Sequence, residues 1–278
     1  MRYFYVILLL LIFSFIYCGC SSNTEIISVY SSKMNKNIDN IIILPPGYDA
    51  SDNKRYPVVY LLHGHNGYYK TIVEEIKKDI PKDAAKWDFI IVCPDGQNSW
   101  YWDSPVKKES QFETYISKEL VDYVDEHYNT IASPKGRAIS GFSMGGHGGL
   151  WLGINHPDVF GAFGSISGGV DLRSFPENWD IESLLGSYRE NPQIWDEHTI
   201  INQLYKIKTK DTDIIISCGY DDFFYQVNEE LHKEMVKENI RHEYIVGPGS
   251  HSNAYWSMAI DEQLAFFFKF FDKNKSVK

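Results

Sequence analysis

Residues 138–149 constrain the fold more than any other part of the chain. They read AISGFSMGGHGG, with a short apolar approach, a Gly-x-Ser-x-Gly core at 141–145 and small residues that lead into the apolar run at 150–152. Such an order is typical of a strand, a tight turn and a helix, in which the serine is lifted clear of the sheet. We therefore expect a turn between a buried strand and a helix at this position.

The spacing of the glycines gives this turn a chemical meaning. A serine in a strained turn needs glycines on both sides, because a Cβ there would collide with the neighbouring strand and helix, and Gly141 and Gly145 meet this need. The turn would expose the Ser143 hydroxyl and aim the backbone N–H of Met144 at the place where an oxyanion forms. An ordinary glycine-rich turn is the alternative, so an acid, a histidine and a second N–H donor are needed to support the chemical reading.

A second N–H donor follows the predicted central strand. Residues 57–62, PVVYLL, are an unbroken apolar run of the kind that belongs inside a parallel sheet. The run ends in His63-Gly64-His65, and a His-Gly step at the end of a central strand is where α/β-type serine enzymes place this donor. The backbone N–H of His65 is the expected donor, with a simple glycine turn as the alternative.

An acid and a histidine follow later predicted strands. The run at 213–217 is followed by Asp221 and Asp222, and the run at 242–246 is followed by a loop that carries His251. This chain order of serine, aspartate and histidine is the order used in α/β-type serine enzymes. His251 would take the proton of the serine and return it to the leaving group, while one of the two aspartates orients the imidazole.

An aromatic loop lies between these motifs. Residues 98–105 read NSWYWDSP and follow a predicted central strand at the edge where α/β sites are built. We take Trp100, Tyr101 and Trp102 as candidate walls of the substrate pocket. A local core under the loop is the equally weighted alternative.

The remaining pattern predicts one α/β domain over residues 41–278, with a mostly parallel central sheet and helices on both faces. The predicted strands lie at 41–44, 57–62, 89–92, 137–140, 162–167, 213–217 and 242–246, and the predicted helices at 71–78, 111–128, 229–237 and 255–271. Residues 170–210 break this rhythm, because they are polar, contain two prolines and lack a clean period. We interpret them as a lid-like insertion of short helices.

The N-terminus has the pattern of an export signal. An apolar run at 3–17 precedes Cys18 and Cys20, so residues 1–20 are predicted to be a signal peptide, with lipidation at Cys20 and a plainly cleaved signal as the alternative. The run is too short to span a bilayer. The protein is therefore expected to be exported and lipid-anchored at the cell envelope, or otherwise periplasmic or secreted, with residues 21–40 as a polar tether and edge segment.

Composition excludes several classes of function. A net charge of −10 and a pI near 5.4 argue against a nucleic-acid partner. Beyond the signal only Cys93 and Cys218 remain, too few for a disulfide framework, and both are read as small buried residues. No cluster has metal-ligand spacing, so neither a metal nor a cofactor is predicted.

Four segments resemble the esterase D-type family of esterases. They are LLHG at 61–64, GFSMGG at 141–146, CGYDDFFY at 218–225 and GSHSNAYW at 249–256. The family includes tributyrin esterases, feruloyl and acetyl-xylan esterases of carbohydrate esterase family one, S-formylglutathione hydrolase and the mycolyltransferases. The resemblance covers roughly residues 30–272 and implies an α/β-hydrolase fold.

The resemblance also assigns residues. The family's Gly-x-x-Asp-Phe pattern falls on Asp222, and its histidine with a tryptophan five residues later falls on His251 and Trp256. Trp256 is accordingly expected to contact substrate. The family's oxyanion donors fall on the backbones of His65 and Met144, although His65 departs from the smaller or aliphatic residue often found there.

The resulting hypothesis is a serine carboxylesterase that forms an acyl-enzyme on Ser143. Its partners would be small-molecule or polysaccharide esters, with feruloyl or acetyl esters of carbohydrates and short-chain esters as the expected substrates. Hydrolysis of S-formylglutathione is less favoured, since it is a cytoplasmic task. Acyl transfer of the mycolyltransferase type and a non-catalytic surface glycan-binding module are the alternatives, and no oligomeric state is predicted.

Overall fold

A computed structural model describes residues 23–207 and 212–275. Eight strands form one sheet: β1 (Asn23–Ser31), β2 (Lys36–Leu44), β3 (Val58–Leu62), β4 (Ile90–Pro94), β5 (Arg137–Gly141), β6 (Ala162–Ile166), β7 (Asp213–Gly219) and β8 (Glu243–Gly247). Their order is β1-β2-β4-β3-β5-β6-β7-β8, with β1 and β2 antiparallel to their neighbours and β3 to β8 parallel. The predicted, mostly parallel α/β sheet is confirmed.

Helices cover both faces of the sheet. The α-helices are α1 (Ile80–Trp87), α2 (Phe112–Thr114), α3 (Val121–His127), α4 (Met144–Asn155), α5 (Ile181–Leu185), α6 (Pro192–Glu197), α7 (Tyr225–Lys237) and α8 (Asn253–Lys275). The π-helices are Ile72–Ile76 and Tyr115–Leu120, and the 3-10 helices are Pro134–Gly136 and Ile200–Lys206. None of the helices in the described ranges is long and apolar enough to cross a membrane.

The strand β3 shows how the two cores arise. Val58, Tyr60 and Leu62 pack into the core on the face of α4 and α7, whereas Val59 and Leu61 pack into the core on the face of α1 and α8. Successive side chains of a strand point to opposite faces, so a strand covered on both sides must be apolar throughout. The unbroken apolar runs of the sequence identified the central strands for this reason.

The N-terminal part of the described chain corrects one prediction. Residues 21–40 were expected to be a polar tether that passes into an edge strand, but the strand already begins at residue 23, because β1 pairs over its whole length with β2. The buried Ile27 and Val29 alternate with exposed side chains, which is the pattern of an edge strand with one face in solvent. The predicted signal peptide and Cys20 lie outside the described residues, and export and lipidation stay predictions.

Two further details concern the cysteines and the insertion. Cys93 and Cys218 are buried free thiols, as predicted, and burial raises the pKa of each to about 12. The part of the 170–210 segment that the structure describes, up to residue 207, contains α5, α6 and the second 3-10 helix. These are short helices as expected, and movement of the segment stays a prediction.

Candidate active site

The turn between β5 and α4 carries Ser143. Its φ of 58° and ψ of −119° place it in the strained conformation expected of this turn, with α4 starting at the next residue. A Cβ added to Gly141 or Gly145 would lie 2.4 or 2.3 Å from the carbonyl oxygen of Leu62. Real Cβ atoms do not approach backbone this closely, so the packing of the turn against β3 requires both glycines.

The structure brings Ser143, His251 and Asp222 together. His251 Nε2 lies 2.8 Å from Ser143 Oγ, and His251 Nδ1 lies 3.0 and 2.8 Å from the two carboxylate oxygens of Asp222. The Asp222 side chain is fully buried and also accepts a 2.8 Å hydrogen bond from the backbone N–H of Phe224. The carboxylate thus accepts the Nδ1–H, which leaves Nε2 free to accept the serine proton.

The loops after β7 and β8 bring the acid and the histidine together. The N–H of Tyr220 donates a hydrogen bond of 2.9 Å to the Gly247 carbonyl, and the N–H of Asp221 donates one of 2.9 Å to the Gly249 carbonyl. Gly219 lies directly against this second loop, since a Cβ there would be 2.2 Å from the Gly249 oxygen. The Asp221 side chain is exposed to solvent, whereas the buried side chain of Asp222 faces His251.

Two backbone N–H groups belong to segments that lie beside the serine. Met144 is the first residue of α4, where the helix presents unpaired N–H groups and its positive end. The loop that carries His65 passes close by, because a Cβ on Gly64 would lie 3.2 Å from Ser143 Cβ. Within the described residues, no hydrogen bond uses the N–H of His65 or of Met144. Both N–H groups are therefore without a hydrogen-bond partner in the part of the chain that the structure describes.

His63 supports this loop through both ring nitrogens. Its Nε2 accepts a 2.9 Å hydrogen bond from the Gly96 N–H, and its Nδ1 lies 2.8 Å from the Gly64 carbonyl. The Tyr101 hydroxyl donates to the His63 carbonyl over 3.0 Å. His63 therefore has a structural role.

His147 also has a structural role. It is fully buried in α4, where its Nδ1 donates to the Gly169 carbonyl over 2.9 Å and its Nε2 accepts the Trp102 indole N–H over 2.9 Å. Burial lowers the pKa of His147 to about 3, so the ring is neutral at ordinary pH. With both nitrogens used, it holds the aromatic loop against α4 and cannot serve Ser143 as a base.

The aromatic loop is where the prediction was wrong. The side chains of Trp100, Tyr101 and Trp102 are only 1%, 0% and 1% exposed, and none of them lines the cavity at Ser143. The loop turns inward because Trp100 and Tyr101 adopt left-handed backbone conformations, with φ of 55° and 62°. Trp102 then stacks on Trp100 at 5.8 Å between ring centroids. The three residues form a local core beneath the site.

The cavity beside Ser143 has a volume of about 410 Å³. Its lining comprises Gly64, His65, Asn66, Gly67, Thr71, Glu75, Ile76, Phe142, Ser143, Trp179, Phe223, His251, Asn253 and Trp256. Trp256 was expected here from the resemblance, whereas Phe142, Trp179, Phe223 and Asn253 were missed. The Phe pair after Asp222 and the tryptophan-rich composition of the insertion were the available signals, but neither shows which ring faces the cavity.

Aromatic rings flank the histidine on two sides. The ring centroids of Phe223 and Trp256 lie 4.2 and 4.9 Å from that of His251, and Trp256 is nearly perpendicular to the imidazole. Phe142 stacks on Trp256 at 4.4 Å. This packing restricts rotation of the imidazole and leaves its side chain only 15% exposed.

A buried amide connects the strands beneath the serine. Gln263 of α8 is fully buried, bonds the Ser140 hydroxyl and donates to the Ser165 carbonyl over 2.9 Å. Gly164 leaves room for it, since a Cβ there would lie 2.3 Å from the Gln263 oxygen. Gln263 thus links α8 to β5 and β6, and sequence reasoning assigned it no role.

The sheet, the strained serine turn and the chain order of serine, aspartate and histidine define an α/β-hydrolase. The chain belongs to the esterase family described as "Putative esterase", whose family model matches residues 31–267. Membership in this family, together with the relatives below, identifies a carboxylesterase.

Individual relatives agree with the family. An acetyl esterase of Caldicellulosiruptor saccharolyticus is 24% identical over 258 residues, which cover 84% of this chain and 94% of that protein. Among solved structures, FphF, a fluorophosphonate-binding serine hydrolase of Staphylococcus aureus, has a TM-score of 0.79 at 21% identity and covers 89% of this chain and 99% of its own. The structure of a ferulic acid esterase has a TM-score of 0.76 at 26% identity, and the match covers 91% of this chain and 100% of that one.

Proposed function

We propose that this carboxylesterase acts through Ser143 as nucleophile, with His251 as its general base and Asp222 as the acid that orients the base. One observation carries the proposal: the strained serine at the start of α4 lies 2.8 Å from an imidazole whose other nitrogen faces a buried carboxylate. A nucleophile, a base and an orienting group within hydrogen-bond reach are the signature of covalent catalysis.

The chemistry then runs in two halves. As Ser143 Oγ attacks the ester carbonyl carbon, His251 Nε2 takes the serine proton, and the oxyanion accepts hydrogen bonds from the N–H groups of His65 and Met144. The tetrahedral intermediate collapses, the ester C–O bond breaks, and His251 returns the proton to the departing alcohol. In the second half water attacks the acyl carbon while His251 Nε2 takes its proton. The bond from the acyl carbon to Ser143 Oγ then breaks, His251 returns the proton to Oγ, and the acid leaves.

The substrates proposed are acetyl or feruloyl esters of carbohydrates, or short-chain esters. A cavity of about 410 Å³ falls at the small end of ligand sites and suits a short or planar acyl group. Its aromatic side offers rings to such a group, while Asn66, Thr71, Glu75 and Asn253 offer polar contacts. The names of the acetyl esterase and ferulic acid esterase relatives support the same class. Acyl transfer is not favoured, because the family and these relatives are described as esterases.

A substrate panel tests this proposal. Wild type and Ser143→Ala are compared on p-nitrophenyl acetate, p-nitrophenyl butyrate and methyl ferulate. Wild type should hydrolyse at least one of them, and kcat of the variant should fall by about 10⁶-fold, because only the oxyanion hole and binding effects remain. The ranking of ferulate against acetate selects the acyl group. Equal activity of the two proteins would refute Ser143 as nucleophile.

A further inference from the structure

Phe223 presents an exposed ring beside the proposed catalytic base. Its side chain is 51% exposed, and it is the one exposed large apolar side chain among the described residues that lines the Ser143 cavity. The adjacent Phe224 is only 1% exposed and belongs to the core. A single exposed apolar side chain is ordinary on a protein surface, so the position of Phe223, and not its exposure alone, gives it a meaning.

That position is set by the contact of Phe223 with His251. The two ring centroids lie 4.2 Å apart, and His251 Nε2 lies 2.8 Å from Ser143 Oγ. In the proposed mechanism Nε2 returns its proton to the departing alcohol, so the alcohol oxygen must come within hydrogen-bond reach of Nε2. The alcohol part of the ester therefore lies beside the imidazole against which Phe223 packs.

Trp179 extends the aromatic surface. Its ring stacks beside that of Phe223, with 5.9 Å between centroids and 18° between planes, and it lines the same cavity. Trp179 adopts a left-handed conformation with φ of 53°, which persists only where the surroundings fix it. Phe224 at 5.1 Å and Phe175 at 5.4 Å pack against its ring. Phe223 and Trp179 thus form a fixed, nearly parallel aromatic platform.

Polar side chains accompany the aromatic platform in the lining. Asn66 and Asn253 belong to it, and Asn253 is exposed and follows His251 by two residues. The lining also contains Glu75 but, in the part of the chain that the structure describes, neither a lysine nor an arginine. A neutral sugar fits this combination, because its ring has an apolar C–H face and its hydroxyls can bind amides and carboxylates.

We infer that Phe223 is a specificity-determining residue whose exposed ring binds the apolar face of the sugar that carries the ester. The inference rests on the proposed function and deepens it, since it assigns the aromatic platform to the alcohol side of the ester bond. The substrate class is accordingly an acyl ester of a neutral sugar. Packing of one ring face on another buries apolar surface and stabilises the transition state for loss of the sugar.

Two pairs of esters separate the alcohol side from the acyl side. Methyl 6-O-acetyl-glucopyranoside and 2-methoxyethyl acetate share the acyl group and the atoms next to the ester oxygen, but only the first carries a ring. Methyl 3-phenylpropanoate and methyl butyrate share the alcohol, and only the first carries a ring on the acyl side. In wild type kcat/KM should be about tenfold higher for the glucoside than for the methoxyethyl ester, the effect of one stacked ring.

Variants of Phe223 test the residue itself. In Phe223→Ala the ratio of kcat/KM for the glucoside and the methoxyethyl ester should fall to about one, and in Phe223→Leu, which keeps apolar volume without a flat face, to about threefold. Phe223→Tyr keeps the ring and should keep the ratio within about twofold. Because the ratio is taken within each variant, a general loss of activity from looser packing of His251 cancels.

Tyr220 provides the matched control. It is 56% exposed and lies in the same loop, three residues before Phe223, but it does not line the cavity. Tyr220→Ala should therefore keep the wild-type ratio within about twofold. An equal fall of the ratio in Tyr220→Ala and Phe223→Ala would show that the loop, and not the Phe223 ring, sets the preference, and would overturn the inference.

The remaining outcomes separate the inference from the proposed function. If wild type hydrolyses p-nitrophenyl acetate but does not prefer the glucoside, or if the preference survives in Phe223→Ala and Phe223→Leu, the platform binds no sugar ring while the proposed function stands. A ring preference confined to the methyl esters and lost in Phe223→Ala would place Phe223 on the acyl side and also overturn the inference. If wild type hydrolyses none of the four esters and no p-nitrophenyl acetate, the proposed function fails and the inference fails with it.

Discussion

At Ser143 the backbone conformation and the chemistry have the same local cause. A non-glycine residue with φ of 58° is strained by about 1–3 kcal/mol and persists only where its surroundings fix it. Here the Ser143 N–H donates to the Ile166 carbonyl over 2.9 Å, and the Gly145 N–H donates to the Phe142 carbonyl over 2.8 Å. Since the glycines that permit this turn are neighbours in sequence, the motif alone predicted it.

Replacing Asp222 tests the orienting role at the residue scale. In Asp222→Asn the amide can present its NH₂ to His251 Nδ1, which favours the tautomer whose Nε2 carries a proton and cannot accept one from Ser143. We expect kcat/KM on p-nitrophenyl acetate to fall by about 10⁴-fold with little change in stability.

The adjacent aspartate is the matched control. Asp221 is exposed, and its contact with the histidine loop is made by its backbone, so Asp221→Asn should keep kcat/KM within about twofold. Greater loss in Asp221→Asn than in Asp222→Asn would show that the acid was misassigned. From the residues alone, either Asp221 or Asp222 could be the acid, and only the resemblance to the family favoured Asp222. The difference in burial between the two side chains exists only in the folded chain, so the sequence could not show it.

At the scale of elements, His147 ties the aromatic loop to α4. Trp102 lies in a loop 45 residues before His147, and its indole N–H donates to the imidazole at 2.9 Å. The sequence correctly showed that this loop leaves a central strand. It could not show that the loop turns inward, because His147, which binds Trp102 of the loop, lies in α4.

The buried imidazole predicts how stability depends on pH. The pKa of His147 is about 3 in the folded protein and 6.5 in the unfolded chain, so the unfolded state binds the proton more readily. The contribution of His147 is therefore full above pH 6.5 and is lost as the pH falls from 6.5 towards 3, by up to about 1.4 kcal/mol per pH unit.

Urea unfolding between pH 8 and pH 5 measures this slope. His147→Gln keeps a donor and an acceptor but does not titrate, so its free energy of unfolding should fall less steeply than that of wild type. An NMR titration of wild type provides a check that does not depend on the variant's folding: the His147 ring signals should stay constant down to pH 5. A His147 ring that titrates near 6.5 would contradict the account.

Elements differed in how far the sequence predicted them. The strands β3, β4 and β7 were recognised because both of their faces are buried, which leaves a run of apolar residues. The strand β5 was recognised from the serine motif that follows it. An edge strand was predicted in this segment, but not its start at residue 23, because few apolar side chains of β1 are buried and the face with Ile26 and Tyr30 is exposed. Helix α1 was also missed. Pro81 interrupts a helical sequence pattern, but it occupies the first turn of α1, where a missing N–H is harmless.

At the scale of the whole molecule, the parallel sheet brings distant residues to one edge. Ser143, Asp222 and His251 follow β5, β7 and β8, whose carboxyl ends lie on the same side of the sheet. That convergence could be predicted from the order of strands. The cavity walls could not, because Trp179 comes from the insertion and Phe223 from a short loop, and their directions depend on packing between elements.

The covalent intermediate is the central claim, and intact-protein mass spectrometry with rapid acid quenching tests it most directly. After p-nitrophenyl acetate is mixed with wild type, one acetyl group per chain should appear at the rate of the first release of p-nitrophenol, and peptide mapping should place it on Ser143. Ser143→Ala should acquire none at this rate. Turnover at the wild-type rate with no adduct on Ser143, or an acetyl group that forms equally fast in Ser143→Ala, would contradict the account.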